Sequence, residues 1–172
     1  AIKFNDKVHH QLSVFNKESY WNSKRVLRIN FGTNYYLTPE DGTEIWYPSE
    51  ETPSSFMEIN GGQRYQPREA GIGSNQAIKL TEIDPVYQTR LDNPETITCH
   101  VLEGHYQVIL HLSKLNDTCC PQISVQGQPI ETRIDQKYTA YKFPVDVFSE
   151  GQISIEFKGQ SSFINGLEII RI

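Results

Sequence analysis

The chain has 172 residues, enough for one domain with a substantial hydrophobic core. Charged residues make up 22% of the sequence and aromatic residues 11%, which excludes a disordered composition. The net charge of −5 argues against nucleic acid as a partner, because phosphates select basic surfaces. No apolar run approaches the roughly 20 residues that a membrane-spanning helix needs. We therefore expect neither nucleic-acid binding nor a membrane-spanning segment.

Residues 1–25 contain short alternations of apolar and polar residues, at Ile2–Phe4 and Leu12–Val14. They are predicted to form a linker or an extended lead-in strand from a preceding domain, which would make this chain a piece of a longer protein. His9 and His10 do not indicate a metal site, because neighbouring residues on a strand point to opposite faces and no third ligand lies nearby. The sequence therefore predicts no metal ion and no cofactor.

Val26–Phe31 is predicted to be a strand, and the pair Tyr35-Tyr36 after it is expected to be exposed. Residues 39–42, Pro-Glu-Asp-Gly, predict a turn, because Pro sets φ and Gly supplies a positive φ. After Trp46-Tyr47-Pro48, Pro and Gly recur too often, as far as Gly73, for a long regular element. A long irregular region of this kind in a compact domain is usually functional or an elaborated lid.

The stretch from Asp84 to Asn116 organises the predicted fold. Glu95–Val101 and His105–Ser113 each alternate between apolar and polar residues, the period of a strand with one buried face. Glu103-Gly104 between them predicts a tight hairpin turn. We therefore expect an antiparallel pair, with Cys99 as a small buried hydrophobe on its apolar side.

The remaining chain continues in short strands. A hairpin is predicted around Gln126-Gly127, and further strands over Tyr138–Phe143, Gln152–Lys158 and Leu167–Ile172. The last strand carries adjacent Ile169 and Ile170, so we expect it to be central or covered on both faces. With about eight or nine short strands and no sustained helical repeat, the predicted fold class is all-β, as a sandwich of two sheets.

Three stretches, in order, resemble the malectin-like carbohydrate-binding domains. They are Leu27–Gly32 followed by Asp41-Gly42 and Trp46, then Val86–Arg90 followed by Gly104–Val108 and Leu110–Leu112, and finally Ile164–Ile169. The resemblance implies that residues 26–172 form a jelly-roll β-sandwich of galactose-binding-domain-like type that holds carbohydrate. In bacteria such modules are commonly attached to glycoside hydrolases, especially those with β-galactosidase-like catalytic domains. It further implies a periplasmic or extracellular location, with an oligosaccharide or polysaccharide and the catalytic domain of the same chain as partners.

The sequence departs from the family at the sugar site. Where the sugar-binding animal member has an aromatic residue, this chain has Asp92, and an aromatic pair is replaced by Leu115-Asn116. The last loop of that animal member contains an Asp, and this chain has no Asp between Gly159 and Asn165. The resemblance therefore carries over the fold and not that particular binding site.

Sugar recognition needs an aromatic face for the apolar side of the ring and planar polar groups for its hydroxyls. The aromatic-rich loops around residues 34–36, 46–47 and 64–65 supply such groups, with Asp41 and Glu44 as further polar partners. Trp46 is assigned to the core, and Tyr87 either lines the site or is a buried structural hydroxyl. The predicted carbohydrate-binding residues are Asn34, Tyr35, Tyr36, Tyr47, Tyr65, Arg68, Tyr87 and Asp92.

No catalytic motif accompanies these residues. The sequence contains no Gly-x-Ser-x-Gly elbow, no His-Glu-x-x-His pattern and no phosphate-cradling loop, so the isolated domain is not predicted to be an enzyme. The main alternative is a structural ancillary domain that packs on the catalytic domain and binds no sugar. In a third reading, Tyr35, Tyr36 and Tyr65 form a protein-recognition patch.

Overall fold

The computed structural model describes residues 2–5, 12, 16–34, 36–39, 45–64, 86, 89–113, 121–132, 138–159 and 161–172. These residues form thirteen strands, one α-helix and one 3-10 helix. The elements are β1 (Ile2–Asn5), α1 (Lys17–Ser23), β2 (Val26–Asn30), β3 (Tyr36–Pro39), β4 (Trp46–Pro48), the 3-10 helix (Ser49–Glu51), β5 (Met57–Arg64), β6 (Leu91–His100), β7 (Gly104–Ser113), β8 (Gln122–Val125), β9 (Gln128–Ile130), β10 (Tyr138–Val147), β11 (Gln152–Lys158), β12 (Phe163–Ile164) and β13 (Gly166–Arg171).

The strands form two sheets that pack face to face. The first sheet has the order β1-β3-β4-β2-β13-β7-β10, in which β2 and β4 are parallel and the other pairs are antiparallel. In the second sheet β6 pairs with β5, β11 and β12, β11 pairs with β8, and β8 pairs with β9. This architecture confirms the predicted all-β sandwich.

The core lies between the sheets and is built from alternate residues of each strand. Tyr106, Val108 and Leu110 point into it from the first sheet, and Ile97 and Cys99 from the second, all fully buried. Burial of each large apolar side chain contributes roughly 1.5–3 kcal/mol, so the two facing layers stabilise one another. The prediction that Cys99 is a buried small hydrophobe is confirmed.

The predicted hairpin between the two central strands is wrong. β6 belongs to the second sheet and β7 to the first, so the chain crosses between the sheets over Val101–Glu103. The apolar alternation correctly gave the buried face of each strand. It does not distinguish two strands side by side from two that face each other across a core, because both arrangements bury the same residues.

The segment before β2 is packed into the sandwich. Asn16 caps α1 by accepting a hydrogen bond from Ser19 N at 2.7 Å. The helix buries Tyr20 and Trp21 completely; the Tyr20 hydroxyl donates to Val26 O at 2.6 Å, and Trp21 Nε1 donates to His100 O at 3.1 Å. The expectation of an extended lead-in is therefore wrong for Lys17–Ser23, while the division of the chain at residue 25 stays a prediction.

The region predicted to be irregular contains the eight-residue strand β5. The register of β5 against β6 shifts between Asn60 and Gly61, and Gly61 and Gly62 have φ values of 73° and 92°. The two glycines therefore form an irregularity within a strand rather than its end, since Gly accepts the positive φ that such a bulge needs.

Two other predictions about strands are confirmed. β13 lies centrally, between β2 and β7. β8 and β9 form the predicted hairpin, in which Gln126 and Gly127 both have positive φ, as a tight two-residue turn requires. In the part of the chain that the structure describes, no helix is long and apolar enough to span a membrane.

The outer face of the first sheet carries a second, smaller apolar cluster. Leu37, Trp46 and Val86 are buried together there. Trp46 is opposite Arg28 in the register, on the face away from the core residue Ile29, so the assignment of Trp46 to a buried position is confirmed. A methyl group on Gly166 would approach Val86 Cγ1 to 2.5 Å, so Gly166 gives Val86 the room to lie against the sheet.

Candidate functional site

A set of polar side chains lies at one end of the sandwich, where β2 ends and β6 begins. We call Asn34, Glu50, Arg64, Asp92 and Asn93 the polar rim. Each is exposed or half-buried, in contrast to the apolar core beneath them. The rim is the described region that best matches the predicted loop site, because it includes both Asn34 and Asp92.

Gly32 brings the loop after β2 against the start of β6. Its φ is +75°, and a methyl group at this position would lie 2.1 Å from the carbonyl oxygen of Arg90. No other residue fits such a close approach without moving the backbone. Asn34 and Asp92 each follow this contact by two residues, and they are therefore held at the same end of the molecule.

Arg64 connects the loop to the 3-10 helix. Its Nε donates to Gly32 O at 2.9 Å and lies 3.0 Å from Glu50 Oε1. The Arg64 and Glu50 side chains are 42% and 43% exposed, so the ion pair itself is weak in water. Both groups keep hydrogen-bonding capacity that faces solvent.

Asp92 is held by Arg90. Arg90 Nε lies 2.7 Å from Asp92 Oδ1, and the guanidinium carbon lies 4.7 Å from the centre of the Phe163 ring. Burial raises the pKa of Asp92, and the charge and hydrogen bond of Arg90 offset this only in part. The result is a fixed, half-buried carboxyl group at the rim, and no local sequence pattern indicates that Arg90 supports it.

Asn165 forms a network of buried hydrogen bonds beneath the rim, which we call the Asn165 network. Its Oδ1 accepts from Ser113 N at 2.7 Å, and its Nδ2 donates to Thr89 O and to Ser113 Oγ, each at 2.8 Å. The Asn165 network joins the end of β7 to the segment that leads into Arg90. Asn165 lies within the motif Ile164–Ile169, which is the one sequence signal for this residue, because its partners are 52 and 76 positions away.

Two of the predicted sugar-binding tyrosines are in the core. Tyr36 is 7% exposed and Tyr47 is 4% exposed, and their rings meet edge to face with 6.1 Å between the centroids. The expectation that Tyr36 is exposed is therefore wrong. Neither ring presents a face on which a sugar could stack.

The other predicted aromatic and basic contacts lie outside the described residues. They are Tyr35, Tyr65, Arg68 and Tyr87. Within the described residues, the exposed large apolar side chains are Phe148 and Ile172, and both lie at the opposite end of the sandwich, beside the start of β7. An aromatic platform at the rim stays a prediction.

A buried ion cluster lies on the outer face of the first sheet. Glu168 Oε1 lies 2.7 Å from Arg28 Nε, and Glu168 Oε2 lies 2.6 Å from His111 Nε2. Burial alone would raise the pKa of Glu168, but the hydrogen bonds and charges of His111 and Arg28 outweigh it and lower this pKa. Because both carboxylate oxygens are engaged and the Glu168 side chain is only 12% exposed, the cluster is structural.

No group of three or more His, Cys, Asp or Glu side chains among the described residues is arranged to hold a metal ion. The rim presents hydrogen-bonding groups: the carboxylates of Glu50 and Asp92, the guanidinium of Arg64, and the amides of Asn34 and Asn93.

Comparison with known proteins shows likeness in structure alone. No protein-family model matches the sequence, and no curated protein sequence matches it. A β-glucuronidase of Bacteroides uniformis is similar over 86% of this chain, with a TM-score of 0.70 and 18% identity. The plant receptor-like kinase FER and the extracellular domain of ANXUR2 from Arabidopsis thaliana are each similar over 86%, with TM-scores of 0.66 and 0.64 and identities of 18% and 13%.

The matched region is a minor part of each of these proteins. This chain spans 18% of the β-glucuronidase chain, 42% of the FER chain and 41% of the ANXUR2 chain. At these identities the likeness establishes the fold: the chain is a β-sandwich domain of a kind that occurs inside larger glycosidases and receptor ectodomains.

Proposed function

We propose that this chain is a non-catalytic, malectin-like carbohydrate-binding domain of a larger extracellular or periplasmic protein, and that the polar rim holds the sugar. The observation that carries the proposal is the rim itself. It presents a carboxylate, a guanidinium and an amide from Asp92, Arg64 and Asn34 at one end of a rigid sandwich. Planar groups of these kinds donate to and accept from sugar hydroxyls.

The rim is organised before any ligand arrives. Arg90 holds the Asp92 carboxylate, and Gly32 O and Glu50 hold the Arg64 guanidinium. The Asn165 network anchors the segment that leads into Arg90. A site that is already ordered loses little conformational entropy on binding, which favours affinity for a small polar ligand. Tyr35, Tyr65 and Tyr87 are the proposed sources of the apolar face.

The proposed parent protein is a bacterial glycoside hydrolase with a β-galactosidase-like catalytic domain. This is supported by the fold likeness to one domain-sized part of a β-glucuronidase. It agrees with the absence of a catalytic motif from the sequence, because a domain of this size attached to a hydrolase would serve to hold the substrate polysaccharide near the catalytic domain.

Isothermal titration calorimetry tests the rim with galactans, agars, pectins and glucans. Asp92→Asn and Arg64→Gln are expected to weaken binding at least about tenfold each, because each removes a charge-assisted hydrogen bond. Glu156→Gln is the matched control, since Glu156 is exposed on β11, away from the rim. Flat titrations with every polysaccharide, or equal affinities for the rim variants and the control, would contradict the proposal.

A structural ancillary domain that binds no sugar is the second candidate. It is favoured by the burial of Tyr36 and Tyr47 and by Phe148, which is 69% exposed at the end opposite the rim. In the parent protein, Phe148→Ser would then lower the melting temperature of the catalytic domain and leave polysaccharide affinity unchanged. If the carbohydrate-binding role is right, the rim variants lower affinity and leave that melting temperature unchanged.

A further inference from the structure

A groove with two arginines lies at the end of the sandwich opposite the polar rim. It has a volume of about 330 Å³ and is formed where the end of α1 meets the first residues of β7 and the last residues of β13. We call it the basic groove. Its lining residues are Trp21, Asn22, Arg25, Gly104, His105, Arg171 and Ile172.

Arg171 is anchored with hydrogen-bonding capacity left over. Its Nη1 donates to Asn22 Oδ1 and its Nη2 to Glu103 O, each at 3.2 Å. A guanidinium has five N–H donors, so these two bonds fix the plane of the group and leave others for a ligand. A methyl group on Gly104 would lie 3.4 Å from Arg171 Nε and 3.8 Å from Nη2, which are ordinary contact distances, so this edge of the guanidinium lies beside Gly104 in the groove.

Arg25 provides the second charge from a strained backbone. Its φ is +63°, a left-handed conformation that is energetically unfavourable for any residue other than glycine. Its carbonyl oxygen accepts a hydrogen bond from Arg171 N at 2.8 Å. The side chain is exposed, and no described residue bonds its guanidinium. A glycine would relieve the strain, yet an arginine is present.

Three further titratable side chains lie in or beside the groove: His105, Asp146 and Glu103. His105 Nδ1 lies 2.6 Å from Asp146 Oδ1, so Asp146 is paired locally. The Glu103 side chain is exposed, and this residue contacts Arg171 through its carbonyl. Arg25 and Arg171 put two positive charges at the groove, and these charges attract an anion.

From these contacts we propose that the basic groove binds the carboxylate of an acidic sugar residue. A planar guanidinium edge matches a carboxylate with two parallel hydrogen bonds. The Asn22 amide and the His105 imidazole also line the groove and are hydrogen-bonding groups that suit hydroxyls. The choice of a sugar rests on the proposed function, whereas the choice of a carboxylate rests on the groove alone.

The test is calorimetric titration of trigalacturonate and of neutral galactotriose, which differ in the carboxylate groups, at low salt. Wild-type protein is expected to bind trigalacturonate, and binding is expected to weaken as salt is raised. Arg25→Gly and Arg171→Gln should each weaken it at least about tenfold and leave any binding of galactotriose unchanged. Lys158→Gln, which removes one exposed positive charge elsewhere, should bind trigalacturonate like wild type.

Each remaining outcome overturns the proposal. These are no binding of trigalacturonate by wild type, an equal loss in Lys158→Gln, or wild-type affinity in both arginine variants. If Asp92→Asn alone loses trigalacturonate, the groove is excluded while the rim function survives. Equal, arginine-dependent binding of a triglutamate peptide would exclude selectivity for a sugar. Arg25→Gly keeps the test valid if Arg171→Gln fails to fold, because glycine suits the φ of this position and thermal unfolding will show an intact domain.

Discussion

Replacement of Asn165 by alanine gives the most demanding test of how the rim is supported. The change deletes three hydrogen bonds in a fully buried place and leaves Ser113 N without its 2.7 Å acceptor and Thr89 O without its 2.8 Å donor. A buried polar group without a partner costs roughly 1–3 kcal/mol. We therefore expect the free energy of unfolding to fall by about 3 kcal/mol or more, a large part of the roughly 5–15 kcal/mol that a domain of this size has.

Urea denaturation followed by tryptophan fluorescence measures this difference, since Trp21 and Trp46 are both buried. Asn60→Ala is the matched control: Asn60 is exposed and makes one side-chain hydrogen bond, to Thr96 Oγ1 at 2.9 Å, so its loss should stay below about 1 kcal/mol. A loss below about 1 kcal/mol for Asn165→Ala, at an unchanged m-value, would refute the view that this residue ties β7 to the rim.

Three further changes probe other features. Gly32→Ala should unfold the domain or displace the loop, because the new methyl would meet Arg90 O at 2.1 Å; a melting temperature within a degree of wild type would contradict this. Glu168→Gln should be less stable than wild type at pH 7. The lowered pKa of Glu168 makes its contribution complete above the ordinary value near 4.5 and lost as pH falls through the folded value, so the deficit should shrink in acid; a deficit that persists there would argue against an ionic origin. Burial raises the pKa of the Cys99 thiol to about 12, so iodoacetamide should alkylate Cys99 only after denaturant is added, as mass spectrometry of its peptide would show.

The sequence predicted buried faces well and strand partners poorly. Alternation identified Ile97 and Cys99 in one strand and Tyr106 and Val108 in the next as core residues, and the structure buries all four. Whether two such strands pair or face each other depends on contacts made elsewhere, which a local pattern does not contain. The hairpin at Gln126-Gly127 was predicted correctly, because these two residues by themselves favour a tight turn.

Short elements escaped prediction for a different reason. The helix Lys17–Ser23 has seven residues, too few for an apolar repeat to show, and only the adjacent pair Tyr20 and Trp21 reaches the core. In the sequence, Gly61 and Gly62 look like the end of a strand, but in the structure they form a bulge within β5. The presence of glycines in the sequence therefore does not distinguish a bulge within a strand from the end of that strand.

The candidate site was predicted in part. Asn34 and Asp92 lie at one end of the sandwich, as a loop site requires, whereas Tyr36 and Tyr47 are buried. Composition suggested aromatic loops, but whether a tyrosine next to a strand faces in or out depends on register. The support from Arg90 and Asn165 is built from long-range contacts, and those appear only in the folded chain.

The central place of β13 has a consequence for biosynthesis. Arg28 and Glu168, neighbours on β2 and β13, are 140 positions apart in the chain. Until β13 has been made, the first sheet can form only as two halves, β1-β3-β4-β2 and β7-β10, with the edges of β2 and β7 unpaired. Such edges readily recruit other strands. The nascent chain must therefore be kept from aggregating until its last strand has emerged, and folding will be slow compared with that of a helical protein of the same length.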